Sequence, residues 1–166
     1  MSRSHFFVFL TLLFVLSCTK PPDYPDEPVI EFLSMSKNTM LQSDVFGDSL
    51  TVTISFTDGD GDIGQDENTA QIFILDTRFD PPNLEPTISI PLVPEQGAGN
   101  GISGTMTFLL YSKCCFLYPP TGPVQTCEPI AGFPTDTTLV YEMYIIDRAG
   151  NESNRITTDP ITLLCQ

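Results

Sequence analysis

Two stretches of the chain alternate apolar and polar side chains, which is the pattern of a β-strand with one buried face. The first is 49–57, whose apolar positions are Leu50, Val52, Ile54 and Phe56. The second is 139–146, whose apolar positions are Leu139, Tyr141, Met143 and Ile145. Because successive side chains of a strand point to opposite faces, both stretches are predicted to cover a hydrophobic core on one side only.

Five further strands are predicted between turn residues. The full set is 29–35, 49–57, 69–75, 87–93, 105–111, 139–146 and 155–164. Pro160 interrupts the last of these and indicates a sheet edge or a bulge. No stretch of the domain keeps a helical period, and Pro and Gly separate the strands. The pattern predicts an all-β fold, an immunoglobulin-like antiparallel β-sandwich of about seven strands.

The chain begins with a segment that is typical of export. Residues 1–5 carry Arg3 and no acid, and 6–16 is an apolar run interrupted only by Thr11. This run is too short to span a membrane as a helix and has the length of a signal-peptide core. The chain is therefore divided into a signal peptide at 1–17, a Pro- and acid-rich tether at 18–28, and one domain at 29–166.

The signal ends in Val15-Leu16-Ser17-Cys18, which resembles the lipobox of bacterial lipoproteins. Val15 and Ser17 fit that motif, whereas Leu16 is a less usual residue at its position. The alternative is an ordinary secretory signal followed by an incidental Cys. The tether, with four prolines in 19–28, resembles that of lipoproteins of the Bacteroidetes phylum. The resemblance implies lipidation of Cys18 and a membrane anchor in the bacterial cell envelope, in the outer membrane and with display at the cell surface.

A run of alternating acids and glycines follows the second predicted strand, and we call it the acidic loop. It reads Asp58, Gly59, Asp60, Gly61, Asp62, Ile63, Gly64. Calcium takes about six to eight oxygen ligands, and glycines allow a backbone to curl around them. Ile63 and Thr69 stand where an EF-hand has Gly and Glu, so the acidic loop is not an EF-hand. The predicted calcium ligands are Asp58, Asp60 and Asp62, and the alternative is an exposed acidic turn.

The end of the domain carries a second resemblance. Residues 138–153 are similar to the end of many bacterial immunoglobulin-like and fibronectin-III-like modules, where a Tyr-bearing strand runs into an Asp-x-x-Gly-Asn turn. In that fold the loop after the second strand and the loop of the last hairpin share one end. The resemblance places Asp147 and Asn151 beside the acidic loop as further metal ligands, with turn chemistry as the alternative. Asp66 and Glu67 are reserve ligands. Cadherins are similar in principle, because calcium stiffens their domain ends, but their ligand motifs are absent.

Four cysteines remain after Cys18: Cys114, Cys115, Cys127 and Cys165. An exported chain meets an oxidising compartment, so two disulfides are predicted. A bond within the vicinal pair would be strained. One vicinal Cys therefore pairs with Cys127 and the other with Cys165, and both assignments remain open. Zinc is the competing interpretation, but no His accompanies these cysteines and no Cys-x-x-Cys spacing occurs.

Charge and composition exclude several functions. Without the signal peptide the chain has 6 basic and 21 acidic residues, a net charge of −15, so nucleic acid is an implausible partner. The single His, His5, lies in the signal peptide. The domain therefore has no Ser/His or Cys/His pair, and no enzyme is expected.

The expected function is that of a lipid-anchored envelope module with a structural calcium site, acting as an interaction or spacer protein for an unknown protein or glycan partner. The alternative is an accessory lipoprotein that binds a glycan or peptide for an uptake or secretion system. A pocket lined by Phe and Tyr would favour ligand capture, whereas a smooth sandwich with one acidic end would favour a spacer.

Overall fold

The computed structural model describes residues 23–44, 46–64, 71–94, 101–118, 124–127 and 136–165. The predicted signal peptide, Cys18 and the reserve ligands Asp66 and Glu67 lie outside these ranges. All regular structure within them is β-strand, which confirms the predicted all-β class. In this part of the chain no helix is long and apolar enough to cross a membrane.

Thirteen strands are present in the described ranges. Their bounds are Val29–Met35 (β1), Thr39–Leu41 (β2), Ser49–Asp58 (β3), Gln71–Asp76 (β4), Asn83–Leu84 (β5), Ile88–Ser89 (β6), Ile102–Tyr111 (β7), Phe116–Tyr118 (β8), Val124–Thr126 (β9), Asp136–Leu139 (β10), Tyr141–Ile146 (β11), Ile156–Thr157 (β12) and Ile161–Leu164 (β13). The number exceeds seven because two predicted strands are each split into two pieces and because four short strands, β2, β5, β8 and β9, lie outside the predicted set.

The strands pair in an immunoglobulin-like order. One layer is the antiparallel sheet β1-β3-β7, in which β3 pairs with β7 over its whole length. The other layer contains β12-β11-β4, with β5 and β6 both on the outer edge of β4. A smaller sheet, β10-β13-β2, continues the last hairpin and takes up β2 in parallel. The strands β8 and β9 form a separate hairpin.

Three predicted strands are found within a few residues of their expected bounds. β1 has the predicted bounds, β3 is one residue longer and ends at Asp58, and β7 starts earlier, at Ile102. The strand predicted at 69–75 is present as β4, which begins at Gln71 after a gap in the described ranges. The two-residue period identified these strands because each has one buried face.

The strand predicted at 87–93 is largely wrong, since only Ile88–Ser89 pairs with β4. Pro91 and Pro94 lack the N–H group that a longer ladder would need. The strand predicted at 139–146 is split at Val140, whose carbonyl oxygen accepts from the hydroxyl of Thr77 at 2.8 Å. The break between β12 and β13 contains Pro160, as the sequence indicated.

The core lies between the two layers and takes its side chains from the inward positions of both. β3 contributes Leu50, Val52, Ile54 and Phe56, and β11 contributes Tyr141, Met143 and Ile145. These seven side chains are at most 5% exposed. The alternation seen in the sequence is therefore the alternation between core and surface.

Both expected disulfides are formed at the end of the sandwich where β7 and β13 finish. Cys114 is bonded to Cys127, with an S–S distance of 1.99 Å, and Cys115 is bonded to Cys165, at 1.94 Å. The structure thus chooses between the two assignments that the sequence left open. The second bond joins the segment that follows β7 to the residue that follows β13, and its partners are 50 residues apart in the chain.

Candidate metal centre

Along two strands the buried positions continue two residues past the last apolar side chain, and in both cases that next buried residue is an aspartate. The inward positions of β3 end with Phe56 and Asp58, and those of β11 run on through Ile145 to Asp147. Asp58 is 0% exposed and Asp147 is 2% exposed. Since β3 and β11 belong to opposite layers, strand periodicity brings one buried carboxylate from each layer to the same end of the sandwich.

The acidic loop turns tightly after Asp58 and returns to the core. Gly61 and Gly64 have φ angles of 74° and 87°, in the left-handed region that favours glycine. Ile63, between them, is fully buried in the hydrophobic core. Ile63 therefore anchors the acidic loop to the core, which explains an apolar residue where an EF-hand has glycine.

Asp58 holds the acidic loop with one carboxylate oxygen and leaves the other unpaired. Its Oδ2 accepts hydrogen bonds from the backbone N–H groups of Asp62, at 2.7 Å, and Ile63, at 3.2 Å. Its Oδ1 is buried and has no hydrogen-bond partner. Burial raises the pKa of Asp58 to about 6 against the opposing effect of the two N–H groups, and the charges of Asp60 and Asp62 add to the increase.

Asp62 connects the acidic loop to the last hairpin. Its Oδ2 accepts from the N–H of Ala149 at 2.9 Å, and its backbone oxygen accepts from Nε of Arg148 at 3.0 Å. Its Oδ1 is also buried without a hydrogen-bond partner. Burial raises the pKa of the Asp62 carboxyl, and the charges of Asp147 and Asp60 raise it further. The sequence pattern did not identify Arg148 or Ala149 as partners of Asp62. Both hydrogen bonds involve a backbone atom, and they join residues 86 and 87 positions apart in the chain.

Asp147 is oriented by the turn that follows it. Its Oδ1 accepts from the N–H groups of Gly150, at 2.7 Å, and Asn151, at 2.8 Å. Its Oδ2 accepts from the side-chain amide of Asn151 at 2.8 Å. The structure therefore brings Asn151 to the predicted place, but as a hydrogen-bond donor that holds Asp147. This is the turn chemistry that the sequence left as the alternative.

Four carboxylates meet at this end of the sandwich. One carboxylate oxygen from each of Asp58, Asp60, Asp62 and Asp147 lies within 4.8 Å of the others, and we call these four residues the acidic cluster. The two loops that the sequence analysis placed at one end are thus found together. Four negative charges at this spacing repel one another unless a cation lies between them.

The acidic cluster has the donor chemistry of a hard-cation site. All four side chains are carboxylates, which suit calcium and magnesium, whereas softer metals are bound through His or Cys. The two buried oxygens without hydrogen-bond partners, on Asp58 and Asp62, are acceptors that a cation would satisfy. The residues present therefore fit a divalent cation.

The N-terminal end of the described chain lies against the acidic loop. The N–H of Gly59 donates to the carbonyl oxygen of Pro25 at 2.7 Å. A Cβ on Gly59 would come within 2.4 Å of the Tyr24 carbonyl oxygen, and one on Gly101 would come within 3.3 Å of the Tyr24 ring. From the sequence, Gly59 is explained only as a turn residue, because no local pattern reveals which distant backbone packs against it.

A second concave surface lies between β7 and the outer strands of the other layer. It is a groove of about 260 Å³ whose apolar walls include Phe46, Ile88, Leu109, Tyr111 and Tyr141. Glu85, 8% exposed, also lines the groove and forms an ion pair with Lys113. The sandwich is therefore not smooth over its whole described surface.

The fold and the site together define an all-β, disulfide-bonded sandwich with four clustered carboxylates at one end. No protein-family model matches the chain, and neither does any curated protein or solved structure.

Proposed function

We propose that the protein is a lipid-anchored module of the bacterial cell envelope that binds calcium at the acidic cluster and acts as a spacer or interaction protein. The observation that carries the calcium site is the pair of buried, unpartnered oxygens on Asp58 and Asp62. A buried carboxylate oxygen without a partner is costly, and a plain turn has no need of two.

Calcium fits the site better than magnesium. Calcium accepts irregular sets of about six to eight oxygens, whereas magnesium requires a tight octahedron and releases water reluctantly. The acidic cluster is irregular, because Asp58 and Asp147 are buried, Asp62 is half-buried and Asp60 is exposed. The exposed side leaves room for water molecules that complete the coordination of the ion.

The ion has a structural role in this proposal. Asp58 extends from the β1-β3-β7 sheet, and Asp147 follows β11 in the opposite layer. A calcium ion held by both would join the two layers at the end from which the tether leaves. The tether, with its lipid on Cys18, would then approach the membrane from a stiff end of the domain, as a spacer requires.

Isothermal titration calorimetry with calcium and with magnesium tests the proposal. The expected result is one calcium per chain with a dissociation constant on the order of 10⁻⁴–10⁻³ M, typical of extracellular modules, and much weaker magnesium binding. Asp60→Ala should remove the calcium signal, because it deletes a ligand from the exposed side. Asp159→Ala, at an exposed site outside the acidic cluster, is the matched control and should bind as the native chain does. A native chain that gives no calcium signal at millimolar concentrations contradicts the proposal.

The groove favours a second candidate, an accessory lipoprotein that captures a peptide for an uptake or secretion system. Its apolar walls suit an apolar side chain, and the Glu85–Lys113 ion pair offers polar groups to a peptide backbone. Leu109→Asp should abolish enrichment of apolar peptides from a phage-displayed library. Leu33→Asp, equally exposed but on β1, should not. Equal enrichment by both variants, or none by the native chain, contradicts this candidate.

A further inference from the structure

The start of the domain is fastened to the ion-binding end by several independent contacts. We call residues 24–28 the tether root. Its Pro25 accepts the hydrogen bond from Gly59, and its Pro28 is buried. One step further along, Asn154 bridges both backbone groups of Ile30, donating to its oxygen at 2.9 Å and accepting from its N–H at 2.8 Å. The tether root is therefore packed against the domain rather than extending freely from it.

Gly59 belongs to the tether contact and to the acidic cluster at once. It is the residue between Asp58 and Asp60, so a backbone movement of the acidic loop that shifts those two carboxylates also shifts its N–H group. Its φ angle lies outside the left-handed region, so the backbone alone would accept an alanine. The three atoms nearest to a Cβ at this position are all backbone atoms of Tyr24 and Pro25, at 2.4–2.8 Å. The absence of a side chain at Gly59 is thus explained by the tether root.

We propose that the tether root is a positioning element of the ion site, so that calcium binding and docking of the tether root are one coupled equilibrium. This inference rests on the proposed calcium site. Without an ion, the acidic cluster repels itself and Gly59 moves away from Pro25. With an ion, Asp58 and Asp60 are fixed and the Gly59 N–H is held ready to bond. Since such coupling is reciprocal, a docked tether root must raise calcium affinity by the factor by which calcium favours docking.

The test combines two changes in the full-length chain in detergent micelles. Gly59→Ala places a Cβ against the tether root. Tyr24→Gly together with Pro25→Gly loosens the tether root without changing the acidic loop. Each should raise the calcium dissociation constant about fivefold or more, which is the lower range of allosteric couplings. In the loosened chain, adding Gly59→Ala should not raise the calcium dissociation constant further, because the backbone atoms that its Cβ would contact are no longer held in place.

A second readout follows the tether root directly. A 3-fluorotyrosine at Tyr24 should show a calcium-dependent change in its ¹⁹F resonance in the native chain and no change in Gly59→Ala. Gly47→Ala is the matched control, since a Cβ there meets only the side chain of Ser43. It should keep both the native affinity and the native ¹⁹F response.

Three results overturn the inference. If Gly59→Ala raises the dissociation constant equally in the native and loosened chains, the effect is strain within the acidic loop. If calcium binds normally but the Tyr24 label does not respond, the tether root is not coupled to the ion. Both of these leave the calcium site intact. If the native chain binds no calcium at all, the inference and the proposed function fail together.

Discussion

Asp58→Asn separates the contribution of the ion from that of the fold more sharply than any other substitution. An asparagine has the same shape, and its side-chain oxygen can still accept from the N–H groups of Asp62 and Ile63. Its amide nitrogen would stand where the unpartnered Oδ1 now lies, and there it can donate to a neighbouring carboxylate. The substitution removes a buried charge and an ion ligand but no hydrogen-bonded loop contact.

The magnitude without calcium follows from the pKa of Asp58. Its increase from 3.8 to about 6 means that the folded state disfavours the ionised form at pH 7. At 1.36 kcal/mol per pKa unit the penalty is at most about 3 kcal/mol. In chelator, Asp58→Asn should therefore be more stable than the native chain by about 1–3 kcal/mol. For a domain of this size that is a rise of several degrees in Tm.

The magnitude with calcium follows from linkage. At ~2 mM calcium and a dissociation constant of ~0.1 mM, binding stabilises the native chain by about 1.8 kcal/mol, or roughly 6 °C. Asp58→Asn should gain nothing from calcium, because it lacks the buried ligand oxygen. The Tm advantage of Asp58→Asn over the native chain should therefore shrink or change sign when chelator is replaced by calcium.

Thermal melts at pH 7 give the Tm of the native and Asp58→Asn chains, each in chelator and in 2 mM calcium. Asp159→Asn is the control, because it makes the same chemical change at an exposed site outside the acidic cluster. An Asp58→Asn chain that melts well below the native chain in chelator refutes the reasoning, since the carboxylate would then stabilise the fold without any ion. Equal calcium shifts in the two chains refute the assignment of Asp58 as a ligand.

Three further predictions concern pH, the disulfides and the anchor. In chelator, the free energy of unfolding of the native chain should fall as pH rises between about 4 and 6, because the folded Asp58 keeps a proton that the unfolded chain has already released. In calcium, protonation of Asp58 below about pH 6 should displace the ion, and urea unfolding curves at pH 4.5 and 7, with and without calcium, check both effects. Removing the bond between Cys115 and Cys165 by a double Ala substitution should cost about 4 kcal/mol, since it closes a loop of 50 residues; a cost near zero in denaturant unfolding contradicts this. Cys18→Ser should move the protein from the membrane to the soluble fraction of exporting cells, and an unchanged distribution with an unchanged mass shift excludes lipidation at Cys18.

The sequence alone determined most of the strands and the make-up of the acidic loop. Strand prediction succeeded where one face is buried, because burial imposes a two-residue period that is visible locally, as in β3 and β11. It failed at 87–93, where Pro91 interrupts the run and has no N–H group to donate to a neighbouring strand. The same period, continued one step, points to Asp58 as a buried residue and to Asp147 as its counterpart, so the burial of both carboxylates was present in the pattern.

Tertiary structure alone decided which groups meet. Three contacts illustrate this, and each joins residues that are distant in the chain. They are the disulfide between Cys114 and Cys127, the hydrogen bond from the N–H of Ala149 to Asp62, and the packing of the tether root on Gly59. Periodicity records only which side of a strand faces the core. Contacts of this kind depend on how the two layers pack against each other. The residues next to a given position in the sequence do not determine that packing.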